Sequence, residues 1–366
     1  MSDRNPDDRI VYLHGRPDAH PLHKSFANSV TGNHFHVDAP IRWQDKNFHP
    51  VILLFIWFLN ALFFPFKNYR IYLIDNLHVS VILFKAFFST KKRKFIVHLG
   101  SHTLYFMKTG RFSRLNLKLH KWALSKYDAL ICEGEMAQRL AKDLLGDKCP
   151  PTYVTFLGPL ASRTQLLHKV NPDLNSQNIL IMASGTDMFR LHYKGLDLML
   201  RSFSALLEVC PDARLFIMGR WTKEQLYAYV PSELFNGADP KIVLLGYVND
   251  ITEVLAKMSL CIHLSRGDAF PTATIEAMSA GIPIIMSNVT GTQDIVASVD
   301  DSFVLPLDET KLKNKISNYF QLKIDEKKAL SDCFRKASEP YTEENAVAHY
   351  RRTFNSVLAA LDNPST

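Results

Sequence analysis

The sequence predicts an α/β protein of two domains, each built on a doubly wound parallel sheet with helices on both faces. The chain has 366 residues, which is enough for two domains that each bury a core of their own. Short apolar runs alternate with amphipathic segments along most of that length, the pattern of parallel strands joined by right-handed helical crossovers. A turn-rich stretch at 159–178 separates two such series and is interpreted as an interdomain linker.

The first series predicts six strands and four helices. The strands are short runs rich in Val, Ile, Leu, Phe and Tyr, and the helices repeat their apolar residues at three or four positions. The predicted strands cover 9–14, 34–37, 69–74, 95–98, 128–132 and 152–156. The predicted helices begin near residue 20 and cover 77–88, 111–127 and 135–145.

The second series begins with a strand at 179–183 and is organised around 259–295. Residues 259–264 are a short apolar run suited to a buried strand. Pro271 fits the first turn of the next helix, where its missing N–H has no cost, and Gly281 ends that helix before another strand. Further segments of the series are a helix opened by 193–197, strands near 214–218 and 241–248, and a final amphipathic helix at 341–361.

Two carboxylates, Asp268 and Glu276, flank the start of the helix that follows 259–264. Unpaired N–H groups around Phe270, Pro271 and Thr272 would form a site for phosphate or sugar hydroxyls. Glu276 could accept two hydrogen bonds from ribose hydroxyls, and Asp268 could reach a sugar. Taken alone, such a pair would more often be structural, with the first acid favouring the helix dipole and the second solvated.

This stretch resembles the signature of retaining glycosyltransferases with two Rossmann-like domains, the GT-B type, in glycosyltransferase group 1 (family 4). The signature has two acids separated by seven residues, then Ala-Met-x-x-Gly-x-Pro and a glycine-containing loop, as Asp268, Glu276, 277–283 and 290–292 do here. Asp268 stands where the family usually has Glu, and Thr-Gly-Thr stands where Gly-Gly is common. The resemblance is strong over 179–297 and holds only in outline over 9–156.

The resemblance implies a fold and a domain division. It implies two Rossmann-like domains that face each other across a cleft, as in GT-B proteins. Residues 1–165 would form the acceptor-side domain and residues 166–340 the nucleotide-sugar domain. Residues 341–366 would be a helix that returns to the first domain.

The resemblance also implies catalytic roles for three residues. Lys194, which matches the family's Lys-Gly pair, would counter the charge of the donor diphosphate. Asp268 would contact the donor sugar, and His98, at the end of a strand in the first domain, would touch the donor sugar or the acceptor. Relatives usually carry an arginine where this chain has Thr186, and Arg190 is the expected substitute because a guanidinium is a strong phosphate partner.

Further donor-binding residues are predicted in both domains. Glu276 would bind the ribose, with Arg190, Phe270, Pro271 and Thr272 beside the phosphates or the sugar. In the first domain, Gly15 would let the backbone approach the phosphates or the acceptor, and Arg16 would add charge there.

We expect neither a bound metal nor a cofactor. The family type generally dispenses with a metal, because Lys, Arg and helix ends neutralise the leaving group. His14, His34 and His36 match no metal-ligand pattern such as His-Glu-x-x-His. Five cysteines without paired spacing indicate reduced thiols in a cytosolic compartment rather than a disulfide framework or a zinc site.

The segment 48–66 is unusually apolar. Only 16 residues separate Pro50 from Lys67, which is short of the roughly 20 that span a bilayer, and Asn60 and Pro65 interrupt them. A buried or membrane-grazing helix is therefore preferred to a transmembrane one.

The lysine-rich segment 91–94 follows Phe87 and Phe88, a composition that binds anionic leaflets, although a solvated turn explains it equally well alone. Together with the apolar segment 48–66, it favours peripheral attachment at the cytoplasmic side of the inner membrane.

The predicted activity is transfer of a sugar from a UDP- or GDP-linked donor to a lipid-linked or glycan acceptor in cell-surface polysaccharide or glycoconjugate synthesis. A net charge of +7 is compatible with anionic partners, but dispersed basic residues without a recognition motif argue against nucleic acid. Two alternatives remain open. One is a nucleotide-sugar epimerase of the same fold; the other is a catalytically silent partner that binds nucleotide or membrane, which the departures at Asp268 and Thr186 would favour.

Overall fold

A computed structural model of the chain describes residues 9–14, 21–36, 69–75, 78–88, 93–185 and 187–362, together with residues 52, 55, 56, 58 and 59. Three predicted positions, Gly15, Arg16 and Thr186, lie outside the described residues. So do most of the apolar segment 48–66 and the first two residues of the lysine-rich segment.

The chain forms two compact units, each with its own parallel sheet. The first unit comprises Met1–Leu157 and Glu343–Thr366, and the second comprises Gly158–Thr342. The prediction of a turn-rich linker at 159–178 is wrong in its first part, because Ala161–Leu167 form a helix that belongs to the second unit.

The first unit has a six-stranded sheet in the order β2-β1-β3-β4-β5-β6, with every neighbouring pair parallel. The four inner strands of this sheet, β1, β3, β4 and β5, are mostly buried apolar runs, whereas the two edge strands, β2 and β6, are mixed in composition and half-buried. The strands are β1 (Ile10–His14), β2 (His34–His36), β3 (Ile71–Asp75), β4 (Lys94–Leu99), β5 (Ala129–Glu133) and β6 (Thr152–Thr155). The helices are α1 (Pro21–Asn28), α2 (His78–Phe88), α3 (Ser101–Lys108), α4 (Arg114–Leu124) and α5 (Gly134–Leu145).

The second unit repeats this architecture in the order β12-β11-β10-β7-β8-β9, again all parallel. Its strands are β7 (Asn178–Met182), β8 (Arg214–Met218), β9 (Ile242–Gly246), β10 (Leu260–His263), β11 (Ile284–Ser287) and β12 (Val304–Leu305). Its helices are α6 (Ala161–Leu167), α7 (Met188–Tyr193), α8 (Leu196–Leu207), α9 (Lys223–Leu226), α10 (Thr252–Leu255), α11 (Thr272–Ser279), α12 (Gln293–Ala297), α13 (Glu309–Gln321) and α14 (Ile324–Ser338). The fold class predicted from the sequence is confirmed for each unit.

The last helix, α15 (Glu343–Asp362), packs on the sheet and on α1 of the first unit. Its Tyr350 ring stacks on Phe26 with centroids 4.5 Å apart, and the Thr353 hydroxyl donates to the Val154 carbonyl over 3.4 Å. The buried residues of this helix recur at three- and four-residue intervals, which is why its amphipathic pattern is readable in the sequence.

Each sheet has one position where consecutive connections leave in opposite directions. In the first unit this position lies between β1 and β3, and in the second it lies between β7 and β10. Ligands of open parallel sheets bind at the carboxyl ends of the strands beside such a switch point. The side chains at these two edges are therefore candidates for a functional site.

Candidate functional site

Lys194 and Asp268 meet at the switch point of the second sheet. Lys194 follows α7, on the connection that leaves β7, and Asp268 lies on the connection that leaves β10. The Lys194 Nζ donates to Asp268 Oδ2 over 2.5 Å, and both side chains remain partly exposed, at 14% and 17%. A cation and an acid from opposite sides of the switch point thus form one ion pair that solvent can reach.

Glycine makes this meeting possible. Gly195 directly follows the lysine and has φ of +72°, in the left-handed region that glycine tolerates. A Cβ on Gly195 would lie 2.0 Å from the carbonyl oxygen of Leu264, at the end of the neighbouring β10 segment. The Lys-Gly pair therefore lets the backbone after α7 come into contact with the loop that carries Asp268.

Hydroxyl groups hold the Asp268 loop in place. The Ser265 Oγ accepts hydrogen bonds from the backbone N–H of Gly267 and of Asp268, over 3.3 and 2.9 Å. The Tyr193 hydroxyl donates to the Gly267 carbonyl over 3.0 Å, and the Ser287 hydroxyl donates to the Ser265 carbonyl over 2.5 Å. These buried bonds fix the backbone on which the carboxylate stands.

The loop predicted at 290–292 reaches the same place. The Gly291 N–H donates to the Asp268 carbonyl over 2.8 Å. A Cβ on Gly291 would lie 1.5 Å from the carbonyl oxygen of Ala269, so no other residue fits this approach without moving the loop. Gly291, the glycine of the family signature, thus packs against the loop that carries Asp268, even though its neighbours are threonines rather than a second glycine.

His263, at the end of β10, lies beneath Asp268 and has no counterpart among the predicted site residues. Its Nε2 is 3.8 Å from Asp268 Oδ2, and its side chain is 4% exposed. Burial lowers the pKa of His263 to about 4, so the ring is neutral at pH 7. The sequence carried a signal for it, since it is the one polar residue within an apolar strand.

Glu276 lies on α11 and pairs with Arg163 on α6. Arg163 Nη1 donates to Glu276 Oε1 over 2.7 Å, and the carboxylate is 10% exposed. Burial raises the pKa of Glu276, and the guanidinium acts in the opposite direction. Arg163 is not among the predicted site residues, because it stands in the stretch interpreted as a linker.

Asp197 and Arg266 form a third ion pair, and its carboxylate is buried. The two guanidinium nitrogens donate to the two carboxylate oxygens over 2.8 and 2.9 Å, and Asp197 is 3% exposed. Burial alone would raise the pKa of Asp197, but the contacts with Arg266 hold it below its usual range. A bidentate pair of this kind fixes the loop before Asp268 to the start of α8.

The predicted helix start at Phe270, Pro271 and Thr272 is confirmed as a local structure. Pro271 caps α11, which begins at Thr272, and the Thr274 hydroxyl donates to the Pro271 carbonyl over 2.7 Å. Phe270 is 7% exposed and packs near Tyr341, with ring centroids 5.7 Å apart. Its side chain is part of the core.

The Arg190 side chain does not contact Asp268 or Glu276 among the described residues. It lies on α7, where its N–H is capped by the Asp187 carboxylate over 2.8 Å. Its guanidinium is 5.9 Å from the centroid of the Tyr193 ring, and none of the described acids pairs with it. The side chain stands four residues before Lys194, and its role toward phosphate stays a prediction.

His98 belongs to a buried cluster at the switch point of the first sheet. His23 Nδ1 lies 3.3 Å from Asp75 Oδ2, and its Nε2 lies 3.0 Å from Glu133 Oε1. His98 Nε2 lies 3.2 Å from the same Glu133 oxygen, and the Tyr12 hydroxyl donates to Asp75 over 3.1 Å. Two strand-end acids therefore share imidazole partners at this edge.

The charges in this cluster balance largely through His23. Burial alone would lower the pKa of His23, but its contacts with Asp75 and Glu133 raise it to about 10, so it is a cation at neutral pH. The pKa values of both acids are correspondingly lowered against the effect of burial. The coordinating atoms of His23, His98 and Glu133 lie within 4.8 Å of one another, close enough to approach a metal ion. A protonated His23 accounts for the pairing without one.

Aromatic rings cover His98. Its ring centroid lies 4.7 Å from His23, 5.7 Å from Phe26 and 5.4 Å from Tyr350, and its side chain is 3% exposed. A direct contact between His98 and a substrate would require these rings to shift. Its catalytic role stays a prediction.

Comparison with known proteins identifies the C-terminal part. Residues 177–321 match the family described as Glycosyl transferases group 1. A UDP-Gal:alpha-D-GlcNAc-diphosphoundecaprenol alpha-1,3-galactosyltransferase from Escherichia coli is 33% identical over 69 residues, which are 19% of this chain and 18% of that protein. A phosphatidyl-myo-inositol mannosyltransferase from Mycobacterium leprae is 26% identical over 116 residues, 31% of this chain and 30% of that protein. The chain thus spans less than a third of the length of these curated relatives.

Solved structures resemble the chain over almost its whole length. A sucrose-phosphate synthase from Thermosynechococcus elongatus has a TM-score of 0.72 at 16% identity, covering 96% of this chain and 100% of that chain. Anabaena HepE, in complex with UDP and glucose, has a TM-score of 0.67 at 14% identity, covering 96% and 99%. At these identities the likeness establishes the fold. Residues 177–321 therefore match glycosyltransferase group 1, and the chain has the two Rossmann-like sheets of the GT-B fold.

Proposed function

We propose that the protein is a retaining glycosyltransferase that moves a sugar from a UDP- or GDP-linked donor to a lipid-linked or glycan acceptor. The observation that carries this proposal is the ion pair between Lys194 and Asp268 at the switch point of the second sheet. A lysine and an acid joined across a strand-end edge, with a second acid on the following helix, suit a ligand that has both phosphates and hydroxyls.

Each charged residue has a task in this reaction. Lys194 stabilises the negative charge that builds on the diphosphate as the glycosidic bond breaks. Its pairing with Asp268 in the absence of a donor keeps the ammonium in place, and the lysine exchanges the carboxylate for the phosphate when the donor arrives. Asp268 then accepts hydrogen bonds from the donor sugar, and Glu276 accepts those of the ribose.

The retaining outcome rests on the family resemblance. In a front-side mechanism the leaving phosphate deprotonates the acceptor hydroxyl, which attacks from the face that the phosphate leaves. Lys194 has a double effect in such a mechanism, because it stabilises the departing charge and orients the phosphate oxygen that acts as base. No metal is required for these steps.

The names of the relatives motivate the substrate classes. The galactosyltransferase relative is named for a UDP-sugar donor and a diphosphoundecaprenol-linked acceptor, and the mannosyltransferase relative for a phosphatidylinositol acceptor. HepE binds UDP. We therefore propose a lipid-linked acceptor in polysaccharide or glycoconjugate synthesis, reached at the cytoplasmic face of the inner membrane.

Exposed apolar side chains of the first unit support peripheral membrane attachment. Leu115 and Trp122 are 47% and 40% exposed on α4, at helical spacing, and exposed Lys118 lies between them. Phe87, at the end of the neighbouring α2, is 65% exposed, and Phe55 is 61% exposed. Aromatic and leucine side chains beside lysines match the composition of interfacial helices. No helix in the described part of the chain is long and apolar enough to cross a bilayer.

Sugar transfer by Glu276→Ala tests the proposal. Purified protein with UDP- and GDP-sugars and a lipid-linked acceptor should form product, and the variant should lose about 100-fold or more in kcat/KM, because a buried ribose partner is gone. Glu253→Ala, at an exposed acid on α10, is the control and should retain full turnover. Nucleotide binding without turnover by the parent protein would instead indicate a silent binding partner.

A further inference from the structure

We propose that Arg163 is a positioning residue for the donor nucleotide, which holds Glu276 ready for ribose and so makes the site prefer ribonucleotides to 2′-deoxyribonucleotides. This inference rests on the proposed function, since it takes Glu276 as the ribose partner. It adds a residue from outside the family signature, on a helix that the sequence pattern did not predict.

Arg163 contacts Glu276 directly, through one of the two carboxylate oxygens. Arg163 Nη1 donates to Glu276 Oε1 over 2.7 Å, and the described residues provide the Glu276 carboxylate with no other hydrogen bond or ion pair. One carboxylate oxygen is therefore anchored to the guanidinium, while Oε2 retains its lone pairs for a ligand. The guanidinium is 37% exposed and the carboxylate 10%, so the arginine approaches from the solvent side of the acid.

A second arginine fixes the helix that carries Arg163. Arg335, on α14, donates to the carbonyls of His168 and Val170, just after α6, over 3.3 and 3.2 Å. It also donates to the carbonyls of Ser279 and Ala280, at the end of α11, over 2.8 and 3.0 Å. The C-terminal ends of the two helices are thus tied to one guanidinium. Arg163 and Glu276 project from a pair of helices with a set separation.

The ion pair decides the protonation of a buried acid. Burial raises the pKa of Glu276, and Arg163 is the charged group that opposes this rise. Helix α11 packs against α6, α14 and β11, and the other cation on these elements that contacts it is Arg335, at the opposite end of the helix. Tyr247 and Asp250 act on the charge of Arg163 itself, and Asp250 favours its protonated form. The ionised state of Glu276 thus depends on Arg163.

Ionisation matters because a ribose diol offers two donors. An ionised carboxylate accepts from both hydroxyls, whereas protonation turns one of its oxygens into a donor and leaves fewer acceptors for the two hydroxyl protons. Without Arg163, the acid would hold a proton at a higher pH and would also lose its orientation. A nucleotide that lacks the 2′-hydroxyl would lose less, because it makes fewer hydrogen bonds to this group.

Calorimetric binding of UDP, GDP and their 2′-deoxy forms tests the inference. The parent protein, Arg163→Met, Arg163→Lys and the control Arg214→Met are compared from about pH 5.5 to about pH 8. Arg214 pairs with Asp239 over 3.1 Å at similar exposure, away from the acids of the site. Arg163→Met should bind the ribonucleotide about tenfold more weakly at pH 6 and recover affinity as the pH rises, with a smaller loss for the 2′-deoxy form. Arg163→Lys should restore most of the affinity, and Arg214→Met should match the parent.

Equal losses for ribo- and deoxynucleotides at every pH would overturn the inference, because they would show only a structural effect of Arg163. Melting temperatures of the nucleotide-free protein separate this failure from failure of the proposed function. If Arg163 and Glu276 form the ion pair described above, Arg163→Met should lower the melting temperature near pH 7. The double variant Arg163→Met/Glu276→Gln should regain part of that loss, because it no longer has an unpaired buried charge. Strictly additive losses overturn the inference even if nucleotide binds. If the parent protein binds neither UDP nor GDP, the proposed function is overturned, whatever the melting temperatures of the single and double variants show.

Discussion

The two sheets of this protein carry acids at equivalent edges but neutralise them in different ways. At the edge of the second sheet, Asp268 pairs with Lys194 and is 17% exposed, so that a ligand can compete for either group. At the edge of the first sheet, Asp75 and Glu133 share His23, and rings cover the cluster. The ion pair of the second sheet is partly exposed to solvent, whereas the acids of the first sheet depend on the charge of His23 under a cover of aromatic rings.

The last helix is one reason for the difference. Tyr350 of α15 lies against Phe26 and His98, over the carboxyl ends of β1, β3 and β4. Burial raises the pKa of Tyr350, so its hydroxyl remains neutral next to the acids. The first unit thus uses its strand ends partly for internal packing, whereas the second unit has a partly exposed ion pair at its strand ends.

Replacement of Lys194 should have the largest effect on activity. Lys194→Ala removes the cation that meets the diphosphate, so kcat should fall by about 100- to 1,000-fold. The free energy of unfolding should change by only about 1 kcal/mol, because the pair with Asp268 is partly exposed. Steady-state transfer and urea unfolding measure the two effects, with exposed Lys311→Ala on α13 as the control. Full activity in Lys194→Ala would contradict the view that the edge of the second sheet is catalytic and the edge of the first sheet is structural.

The stability of the first unit should depend on pH through His23. Its pKa is raised to about 10 from an ordinary 6.5, so its contribution to stability is complete below about pH 6.5 and is lost as the pH rises through about 10. Asp75 and Glu133 have lowered pKa values, so their contributions are present above the ordinary carboxyl range and are lost in stronger acid. The first unit should therefore be most stable between about pH 5 and about pH 6.5.

His23→Gln should abolish the alkaline part of this dependence and cost about 3 kcal/mol near neutral pH, since it leaves two buried acids without their cation. Hydrogen exchange of peptides from Ile71–Asp75 and from Asn178–Met182, corrected for intrinsic rates, reports the two units separately. The control is His168→Gln, at an exposed position in the second unit. A parallel pH response in both peptides would assign the effect to the whole molecule.

The sequence predicts the fold well because its signals are local. Buried strands such as Ile71–Asp75 and amphipathic helices such as Glu343–Asp362 have the expected periodicities. Helix Ser101–Lys108 was missed, because its eight residues carry no clear apolar stripe. Helix Ala161–Leu167 was taken for linker, since turn-forming residues surround it on both sides.

The site is less predictable because its pairs join distant parts of the chain. Lys194 and Asp268 were both identified by their place in a motif, but their contact spans 74 positions and no local pattern indicates it. Arg163 and Glu276 are 113 positions apart, and an arginine in a presumed linker carries no signal of its own. His23 was not singled out, because a single histidine on a helix is usually structural. Its importance appears only when β3 and β5 bring their terminal acids beside it.

The smallest effect is expected on membrane binding, which should depend on the first unit and not on the second. Trp122→Ser removes an exposed aromatic side chain from α4 of the first unit, and we expect a few-fold weaker association with vesicles that contain anionic lipid, because a single interfacial anchor is lost. Exposed Tyr247→Ser in the second unit is the matched control and should bind as the parent does. Co-sedimentation with phosphatidylglycerol vesicles at low and high salt gives the affinity and its electrostatic share. Equal losses in the two variants would show that attachment does not belong to the first unit, and a parent protein that stays in the supernatant would rule out attachment to this surface.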